Sequence, residues 1–297
     1  MTTPPAIAVL GSTNMDLVAY VATAPRRGET VTGHAFRTVP GGKGTNQAVA
    51  AARAGGAVSM IGAVGEDDFG VRLRGALAES GVETGGLRTV GGESGTAHIV
   101  VVPGANGTVA GLAAGDEERI AAADVLLLQL EIPLPGVLAG ARAARAHGVR
   151  VVLTPAPARP LPTELLTVTD LLVPNEHEAT VLTGKPDPHD AAAALLALVP
   201  EVVITLGEAG SLHAIRGAAP VQVAAPRVRA EDTTAAGDTF VGALAVARAE
   251  GRAMPEAMAW ASAAAALSVQ RPGASASMPR RAEIDAFATL NQESRTP

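Results

Sequence analysis

The sequence predicts a three-layer α/β domain with a mostly parallel central sheet. Short apolar runs alternate with stretches of helical periodicity along most of the 297 residues, an order typical of strands connected by helices. Some of these runs, such as the AIAVL of Ala6–Leu10, are apolar throughout, as strands buried on both faces should be. Hydrophobic residues make up 47% of the chain and aromatic residues only 2%, so the core must consist mainly of Ala, Val and Leu.

The strands and helices are predicted from these runs in chain order. The predicted strands are Ala6–Leu10, Val58–Val64, Val125–Leu130, Val149–Leu153, Asp170–Val173, Val202–Leu206 and Leu212–Ile215. The predicted helices are Thr45–Ala54, Phe69–Ser80, Pro135–His147, Ala191–Leu198, Thr239–Glu250 and Pro255–Val269. No internal repeat or interdomain linker interrupts this order, so residues 1–297 are predicted to form one domain.

Two regions in the first third depart from the alternation. Residues of about 16–39 and 87–114 are rich in Gly and Thr and contain alternating strand patterns such as TAHIVVV. Neither region contains a convincing helix. We therefore expect their strands to pair outside the main sheet and to form a small β lid, whose open edges favour pairing with a second subunit.

Composition excludes several classes of function. A net charge of −6 with few aromatic residues argues against nucleic acid as a partner. The chain contains no cysteine, which excludes disulfide scaffolds, zinc–thiolate sites and cysteine nucleophiles. The N-terminal segment has no basic stretch before its apolar run, and no apolar run is long enough to span a bilayer. The sequence therefore predicts a cytoplasmic protein without a membrane partner.

The segment DTTAAGDTFVGAL, residues 232–244, predicts an anion site at the start of a helix. Gly237 allows a tight turn and close approach by a ligand, and the small side chains of Ala235 and Ala236 leave their amides accessible. Asp238 brings a carboxylate to the same place, which suits a base better than a phosphate anchor. The alternative is that Asp238 is an ordinary helix N-cap; the flanking residues favour the functional interpretation.

Other polar residues lie where strands or turns lead into helices. PGGKGTNQA is a glycine-rich turn that lacks the Walker A spacing and carries Lys43 and Asn46. GSTNMDL places Asn14 and Asp16 on one face of an extended segment, a pair that suits sugar hydroxyls. Glu131 ends a buried strand, a position where open α/β sheets bind ligands.

VPNEHEATVLTG, residues 173–184, offers oxygen ligands that suit Mg²⁺ near a phosphate. Its polar groups are those of Asn175, Glu176 and Glu178. HEATV resembles half of the H-E-x-x-H zinc motif but lacks the second histidine, so a zinc site is rejected. The chain also lacks a G-x-G-x-x-G fingerprint, which argues against a dinucleotide-binding redox enzyme.

Together these segments resemble the ribokinase family, the sugar kinases that include phosphofructokinase-B. The resemblance covers about residues 7–287. GGKGTNQA resembles the N-terminal signature and DTTAAGDTF the C-terminal one, with GAVGEDDFG, QLE, PNEHE and TLGEAG between them in the expected order.

The resemblance implies a ribokinase-like fold with a β lid, dimerisation through that lid, and ATP-dependent phosphorylation of a sugar. D-ribose at O5 is the favoured acceptor. Another sugar, a nucleoside, or a non-catalytic sugar-binding regulator remain alternatives.

The resemblance also implies roles for individual residues. Asp238 matches the general base, and the amides of Ala235, Ala236 and Gly237 match the anion hole. The positions that match sugar contacts are Asn14, Asp16, Gly42, Lys43, Asn46, Glu131 and Asp238. The positions that match nucleotide contacts are Asn175, Thr205, Gly207, Gly210 and Gly237. Glu178 matches the group that helps to organise Mg²⁺.

A monovalent-cation site is implied as well, with K⁺ as an activator. The matching positions are Asp232, Thr234, Ser268, Arg271, Gly273 and Ser277. Two positions depart from the family pattern. Ser262 replaces the His or Asn often found near the adenine, and AAGDE at residues 113–117 replaces a Gly-Ala-Asn run at the end of the lid.

Overall fold

The structure is a computed structural model that describes residues 3–21, 23, 25–26, 28–98 and 111–293. Its strands are β1 (Ala6–Leu10), β2 (Asn14–Val21), β3 (Gly33–Gly41), β4 (Ala57–Gly65), β5 (Glu83–Val90), β6 (Thr96–His98), β7 (Val125–Leu128), β8 (Arg150–Leu153), β9 (Leu171–Leu172), β10 (Glu201–Thr205), β11 (Ser211–Ile215) and β12 (Val221–Val223). Its α-helices are α1 (Lys43–Arg53), α2 (Asp68–Glu79), α3 (Asp116–Ala121), α4 (Leu134–Ala146), α5 (Thr163–Leu166), α6 (Glu176–Thr183), α7 (Pro188–Leu195), α8 (Ala236–Ala249), α9 (Met254–Ser268) and α10 (Arg281–Glu293).

A nine-stranded sheet organises the fold in the order β12-β11-β10-β9-β8-β7-β1-β4-β5. Every pairing from β5 to β10 is parallel. Only β11 and β12, at one edge, run antiparallel to their neighbours. The parallel strands end at a common edge, and the loops that follow them carry the polar residues identified in the sequence.

Two apolar clusters cover the two faces of this sheet. Along β1, Ile7 and Val9 belong to one cluster, and Ala8 and Leu10 belong to the other, as the alternation of side chains along a strand requires. The first cluster includes residues of α1, α2, α8, α9 and α10, and the second includes residues of α3, α4, α5, α6 and α7. This arrangement confirms the predicted three-layer α/β/α class.

Close packing of α1 on α8 brings the two glycine-rich motifs of the sequence together. A Cβ atom at Gly242 of α8 would lie 2.6 Å from the Cβ atom of Ala50 and 2.8 Å from the backbone nitrogen of Ala51. Only glycine permits this approach, because either contact is far shorter than van der Waals distance. The starts of α1 and α8 therefore face each other at the edge of the sheet.

The small sheet has the order β3-β2-β6 and lies outside the main sheet, as predicted for the lid strands. β2 pairs antiparallel with β3 and parallel with β6. The second predicted lid region needs a correction at both ends. Its first residues belong to β5 of the main sheet, and Asp116 begins helix α3 and binds Arg88 at 2.5 Å. Residues 99–110 of that region lie outside the described residues.

The predicted elements all occur, with boundaries that agree to within three residues, and the fold contains further elements. The elements that the sequence analysis did not predict are α3, α5, α6, α10, β5 and β12. None of the helices in the described ranges is both long enough and apolar enough to cross a membrane.

Candidate active site

The predicted site residues follow the carboxyl ends of neighbouring parallel strands. Glu131 follows β7, Asn175 follows β9, and Thr205 ends β10. Asn175 and Thr205 also form an isolated parallel bridge, in which the Thr205 nitrogen donates to the carbonyl of Pro174 at 3.0 Å. The topology thus gathers side chains that are far apart in the sequence along one edge of the sheet.

Glycines at the junction of β3 and α1 admit the polar side chains of β2. A Cβ atom at Gly41 would lie 2.2 Å from Oδ2 of Asp16, and one at Gly42 would lie 2.6 Å from Oδ1 of Asn14. Gly42 also has a φ of 92°, a conformation that favours glycine. The glycines of this motif therefore let two polar side chains approach the start of α1.

A second set of contacts fixes Glu131 against the same turn. Its Oε2 atom accepts hydrogen bonds from the hydroxyl of Ser12 and, at 2.8 Å, from the backbone nitrogen of Lys43. Beside it, Nδ2 of Asn14 donates to Oδ1 of Asp16 at 2.6 Å. The result is a half-buried group of two carboxylates and one amide, which offers several hydrogen-bond acceptors to a polyhydroxylated ligand.

The carboxylate of Asp16 is unusual in this group. Burial and the nearby charge of Glu131 raise its pKa from 3.8 to about 6, although the hydrogen bond from Asn14 opposes the shift. Asp16 is therefore ionised at neutral pH and becomes protonated in mildly acidic solution.

A substitution at Gly44 tests the close packing of the first turn of α1 against the segment that follows β1. A Cβ atom there would lie 2.6 Å from the carbonyl oxygen of Ser12 and 2.7 Å from the carbonyl carbon of Gly11, and these backbone atoms cannot rotate away. We expect Gly44→Ala to lower the free energy of unfolding by roughly 1–3 kcal/mol. Thermal denaturation measures this. The control Gly75→Ala, in α2 with no atom within 4 Å of its added Cβ, should raise Tm instead because alanine favours helix. Equal effects would contradict the packing argument.

A cavity of about 180 Å³ lies at the start of α8, next to the turn that contacts Glu131. Its lining residues are Lys43, Thr154, Ala156, Val173, Asn175, Glu178, Thr205, Thr233, Ala235, Ala236, Gly237, Asp238 and Val241. The structure thus brings the predicted base, the three predicted anion-hole residues and the predicted nucleotide contacts Asn175 and Thr205 to one cavity. Lys43 links this cavity to the polar group of Asn14, Asp16 and Glu131, because it lines the cavity and its backbone nitrogen donates to Glu131.

The start of α8 has the geometry expected of an anion site. Ala235 has a φ of 58°, the one positive φ of a non-glycine residue in the described ranges. The amides of Ala235 and Gly237 make no hydrogen bond within the described structure, whereas the amide of Ala236 reaches the Thr233 carbonyl at 3.3 Å. Gly237 lines the cavity and a Cβ atom there would meet nothing within 4 Å, so the space beside its amide is open to a ligand.

Asp238 is buried with opposing electrostatic influences around it. Burial raises the pKa of its carboxyl group above the ordinary value, and the charge of Lys43 and hydrogen bonds from Gln47 and Asn46 lower it. In turn, the negative charge of Asp238 raises the pKa of Lys43. A carboxylate with a raised pKa beside free amides can accept a proton from a ligand hydroxyl.

Asn175 and Glu178 form a capping box at the start of α6. Oδ1 of Asn175 accepts from the backbone nitrogen of Glu178, and Oε2 of Glu178 accepts from the backbone nitrogen of Asn175, both at 2.8 Å. Oε1 of Glu178 makes no hydrogen bond within the described ranges, and the residue lines the cavity. Burial raises the pKa of Glu178. One carboxylate oxygen is therefore available for a metal ion that arrives with phosphate groups.

The two other predicted nucleotide residues lie apart from this cavity. Gly207 begins a 3₁₀ turn after β10 with a φ of 54° and open space around it. A Cβ atom at Gly210 would lie 2.0 Å from the carbonyl oxygen of Val223. Packing against the strand beside it is thus sufficient reason for glycine at position 210, whether or not a nucleotide binds there.

Hydrogen bonds join the two loops predicted to hold a cation, the one before α8 and the one after α9. The Val269 carbonyl accepts hydrogen bonds from the nitrogens of Glu231 and Asp232, at 2.7 and 3.1 Å. Oδ2 of Asp232 accepts from the nitrogen of Gly273 at 2.8 Å, and its Oδ1 accepts from the nitrogen of Thr234 at 2.9 Å. Partial burial raises the pKa of Asp232, but these hydrogen bonds outweigh it and the pKa lies below its usual value.

Sequence reasoning missed four polar residues at the site. Gln47, Gln129 and Thr154 form a buried network that reaches Asp238, and Ser12 binds Glu131. Gln47 and Gln129 both lie within the quoted motifs. The available signal was a polar side chain at a position that the apolar periodicity assigns to the core.

The chain is similar to known sugar kinases over almost its whole length. A model of the pfkB family carbohydrate kinases matches residues 5–281. The chain is 42% identical to the ribokinase of Bacillus subtilis, with 94% of this chain and 98% of that protein covered. The structure superimposes on Arabidopsis thaliana ribokinase complexed with ribose and ATP at a TM-score of 0.90 and 35% identity, covering 96% and 99% of the two chains. For the ribokinase of Thermotoga maritima the TM-score is 0.87 at 35% identity, with the same coverage.

The chain belongs to the pfkB family of carbohydrate kinases. It is therefore a phosphotransferase that acts on a sugar, as the paired glycine-rich signatures predicted.

Proposed function

We propose that this protein phosphorylates D-ribose at O5 with ATP and produces D-ribose 5-phosphate and ADP. The observation that carries the proposal is that Asp238 lines one cavity with the amides of Ala235 and Gly237, which are unpaired within the described residues, and also interacts electrostatically with Asp16 and Glu131. The similarity of the whole chain to ribokinases, one of which was solved in complex with ribose and ATP, supports ribose as the acceptor. The cytoplasmic location expected from the sequence agrees with ATP as the donor.

In the proposed reaction Asp238 accepts the proton of the ribose O5 hydroxyl. The O5 oxygen then forms a bond to the γ-phosphorus of ATP, and the bond from that phosphorus to the β–γ bridging oxygen breaks to release ADP. The amides of Ala235, Ala236 and Gly237 stabilise the negative charge on the transferring phosphoryl group. Such preorganised donors are each worth roughly 3–4 kcal/mol in comparable sites. Lys43, beside Asp238, adds a positive charge to the same region.

The sugar is proposed to bind the polar group beside the α1 turn. Asn14, Asp16 and Glu131 accept hydrogen bonds from its hydroxyls, and Gly42, Lys43 and Asn46 line the approach to Asp238. Asn46 already donates to Oδ2 of Asp238 at 3.2 Å, while its buried Oδ1 atom has no partner in the described structure. A ligand hydroxyl can satisfy that oxygen.

ATP is proposed to bind along the edge formed by β9 and β10. Asn175, Thr205, Gly207, Gly210 and Gly237 are the proposed contacts. Glu178 would help to hold the Mg²⁺ that accompanies ATP, directly or through water, and the ion would neutralise charge on the phosphates. The described residues contain no cluster of three or more His, Asp or Glu side chains that could hold a metal ion alone, which fits a metal bound chiefly by the nucleotide.

The raised pKa of Asp16 predicts how ribose binding depends on pH. Ionised Asp16 accepts hydrogen bonds from the sugar, and its carboxyl group loses this capacity as pH falls through about 6. We therefore expect the Kd for ribose, measured by calorimetry, to rise below about pH 6. The variant Asp16→Asn cannot titrate, so its weaker binding should lack this inflection. An inflection that survives in Asp16→Asn would assign the titration to another group.

Potassium is proposed to activate the enzyme from the paired loops after α9 and before α8. Asp232, the carbonyls of Thr234, Ser268, Arg271 and Gly273, and the hydroxyl of Ser277 are the proposed ligands. The loops meet through the Asp232–Gly273 hydrogen bond, and they supply the oxygen atoms that a large monovalent ion needs. A bound ion would hold the neighbouring anion-hole amides in place without entering the chemistry.

We expect activity to rise when K⁺ replaces Na⁺ at constant ionic strength, because the ordered loop needs less reorganisation in the transition state. Asp232→Ala should abolish most of that difference. The initial rate of ADP release in K⁺, Na⁺ and tetramethylammonium salts measures it. Equal rates in all three salts would show that Asp232 serves only as the tie between the two loops.

The chain is proposed to act as one catalytic domain that dimerises through the small sheet. Phe36 of β3 is 63% exposed and Tyr20 of β2 is 40% exposed, and such apolar side chains on a lid strand suit an interface between copies. Analytical ultracentrifugation tests this. A monomer at micromolar concentration would contradict the dimer and leave the kinase activity unaffected.

A sugar panel tests the proposed function. Coupled ADP release should be measured for ribose, 2-deoxyribose, other pentoses, hexoses and nucleosides. We expect ribose to give the highest kcat/KM. A better hexose or nucleoside would overturn ribose as the substrate and keep the kinase, whereas no sugar-dependent ADP release would favour a binding protein.

A further inference from the structure

A buried glutamine contacts the proposed base and has no role in the mechanism described so far. Gln47 lies in α1 and is fully buried. Its Nε2 atom is 3.1 Å from Oδ1 of Asp238 and 3.3 Å from the hydroxyl oxygen of Thr154. Its Oε1 atom accepts a hydrogen bond from Nε2 of Gln129 at 2.6 Å. Both ends of the amide are therefore engaged, which fixes its orientation.

The other partners of Gln47 are anchored in the centre of the sheet. Gln129 directly follows β7 and Thr154 directly follows β8, and these strands are paired at Leu128 and Leu153. The backbone nitrogen of Thr154 also donates to the Leu128 carbonyl at 2.9 Å. Gln129 is fully buried, and Thr154 is nearly so. Gln47 thus connects the carboxylate of α8 to the central strands of the main sheet.

The two oxygens of Asp238 are held by two different amides of α1. Nδ2 of Asn46 donates to Oδ2 at 3.2 Å, and Nε2 of Gln47 donates to Oδ1. Because Asn46 also belongs to the proposed sugar site, it can move or change partner when a sugar binds. Gln47 does not line the cavity, and its other partners directly follow β7 and β8, so its hydrogen bond to Asp238 can persist through the reaction.

We propose that Gln47 is a positioning residue, which fixes the rotation of the Asp238 carboxylate and keeps it ionised for proton transfer. This inference rests on the proposed role of Asp238 as the base. An amide nitrogen can only donate, so it stabilises the carboxylate and not the protonated acid. Without that donor the carboxylate can rotate and binds a proton more readily.

Other charges also act on Asp238, and the test must hold them constant. Lys43 favours the ionised form and Glu131 opposes it, and Asp16 and Glu178 also interact with Asp238 electrostatically. Substitution of Gln47 leaves all four groups in place. A change in the pH profile of a Gln47 variant therefore reports the lost hydrogen bond.

Gln47→Met, of similar length and without the donor, is the first variant. We expect kcat at neutral pH to fall roughly tenfold to a hundredfold, the range for losing a hydrogen bond to a charged group, with KM for the sugar little changed. The acidic limb of the kcat profile should move to higher pH, so that the deficit shrinks in alkaline solution. Gln47→Glu should move that limb further, because two facing carboxylates compete for one proton.

Gln129→Met is the matched control in the same buried network. It removes the anchor of Gln47 and leaves the donor to Asp238, so we expect a smaller loss of kcat with little shift of the acidic limb. A purely structural role would instead lower Tm in both methionine variants and reduce kcat equally at every pH. That result, or kcat within about twofold of wild type for Gln47→Met at all pH values, a difference too small for a lost hydrogen bond to a charged group, would overturn the proposal.

A substrate-free measurement separates this inference from the proposed function. The titration of Asp238 can be followed by ¹³C NMR of the aspartate carboxyl groups, with Asp238→Asn identifying its signal. The signal should titrate at higher pH in Gln47→Met than in wild type. An unchanged titration would overturn the inference, while failure of the wild type to phosphorylate ribose or any other sugar would overturn the proposed function alone.

Discussion

Asp238→Asn is expected to lower kcat by roughly 10²–10⁴-fold, the usual contribution of a general base. The amide keeps the shape of the side chain but cannot accept the proton of the attacking hydroxyl. Binding of ribose and ATP should change little, because the other proposed contacts remain. Initial rates at saturating substrates, with Kd values from calorimetry, separate the two effects.

The alternative that Asp238 is a helix N-cap is wrong, because α8 begins at Ala236 with Ala235 as its N-cap, and the Asp238 carboxylate accepts from the side chains of Asn46 and Gln47. A purely structural role for Asp238 is the remaining alternative, and a true cap serves as the control. Asp187 is a genuine cap of α7, where Oδ1 accepts from the nitrogens of His189 and Asp190 at 2.9 and 3.0 Å. Asn is as good a cap as Asp, so Asp187→Asn should leave both kcat and Tm unchanged. If Asp238→Asn behaved in the same way, Asp238 would be only a structural residue.

Asp16→Ala is expected to lower kcat/KM for ribose by roughly 10²-fold or more, because the sugar loses hydrogen bonds to a charged group. Selectivity among sugars should fall as well, because the variant lacks one of the side chains proposed to bind the sugar hydroxyls. The sugar panel measures both effects.

The stability of Asp16→Ala separates lost recognition from lost folding. The pKa of Asp16 is raised to about 6 in the fold, so its contribution to stability is present below the unfolded pKa and is lost as pH rises through about 6. At pH 7 the ionised carboxylate does not stabilise the fold, and Asp16→Ala should keep or raise Tm. The control Asp68→Ala, on the exposed first turn of α2, should leave kcat/KM unchanged. A drop in Tm that matches the drop in activity would contradict the assigned role.

The central layers of the fold were predictable because their patterns are local and strong. β1 and β7 are apolar runs, and α1 and α8 follow glycine-rich turns with helical periodicity. β5 was missed because apolar and polar residues do not alternate regularly in ETGGLRTV. Its Gly86 is required by close packing against the neighbouring strand β4, which the sequence cannot show. A Cβ atom there would lie 2.8 Å from the carbonyl oxygen of Met60. The short helix α6 was missed because its start depends on a capping box and not on apolar spacing.

The site was predictable where a motif carries its own chemistry. Ala235, Gly237 and Asp238 are adjacent in sequence, so one segment predicts amides and a carboxylate together. The contact of Gln47 with Asp238 spans 191 positions and depends on the packing of α1 against α8. No local pattern encodes that contact, and a buried glutamine looks like any polar interruption of a helix.

The product of the reaction tests the central claim most directly. Wild-type enzyme should be incubated with ATP, Mg²⁺ and ribose, and the products followed by ³¹P NMR with proton coupling. We predict one ribose 5-phosphate for each ADP, with the phosphorus coupled to the two C5 protons, and no sugar phosphate above background with Asp238→Asn over the same time. ADP without sugar phosphate, phosphate on another ribose oxygen, or an undiminished product yield and rate from Asp238→Asn would contradict the account.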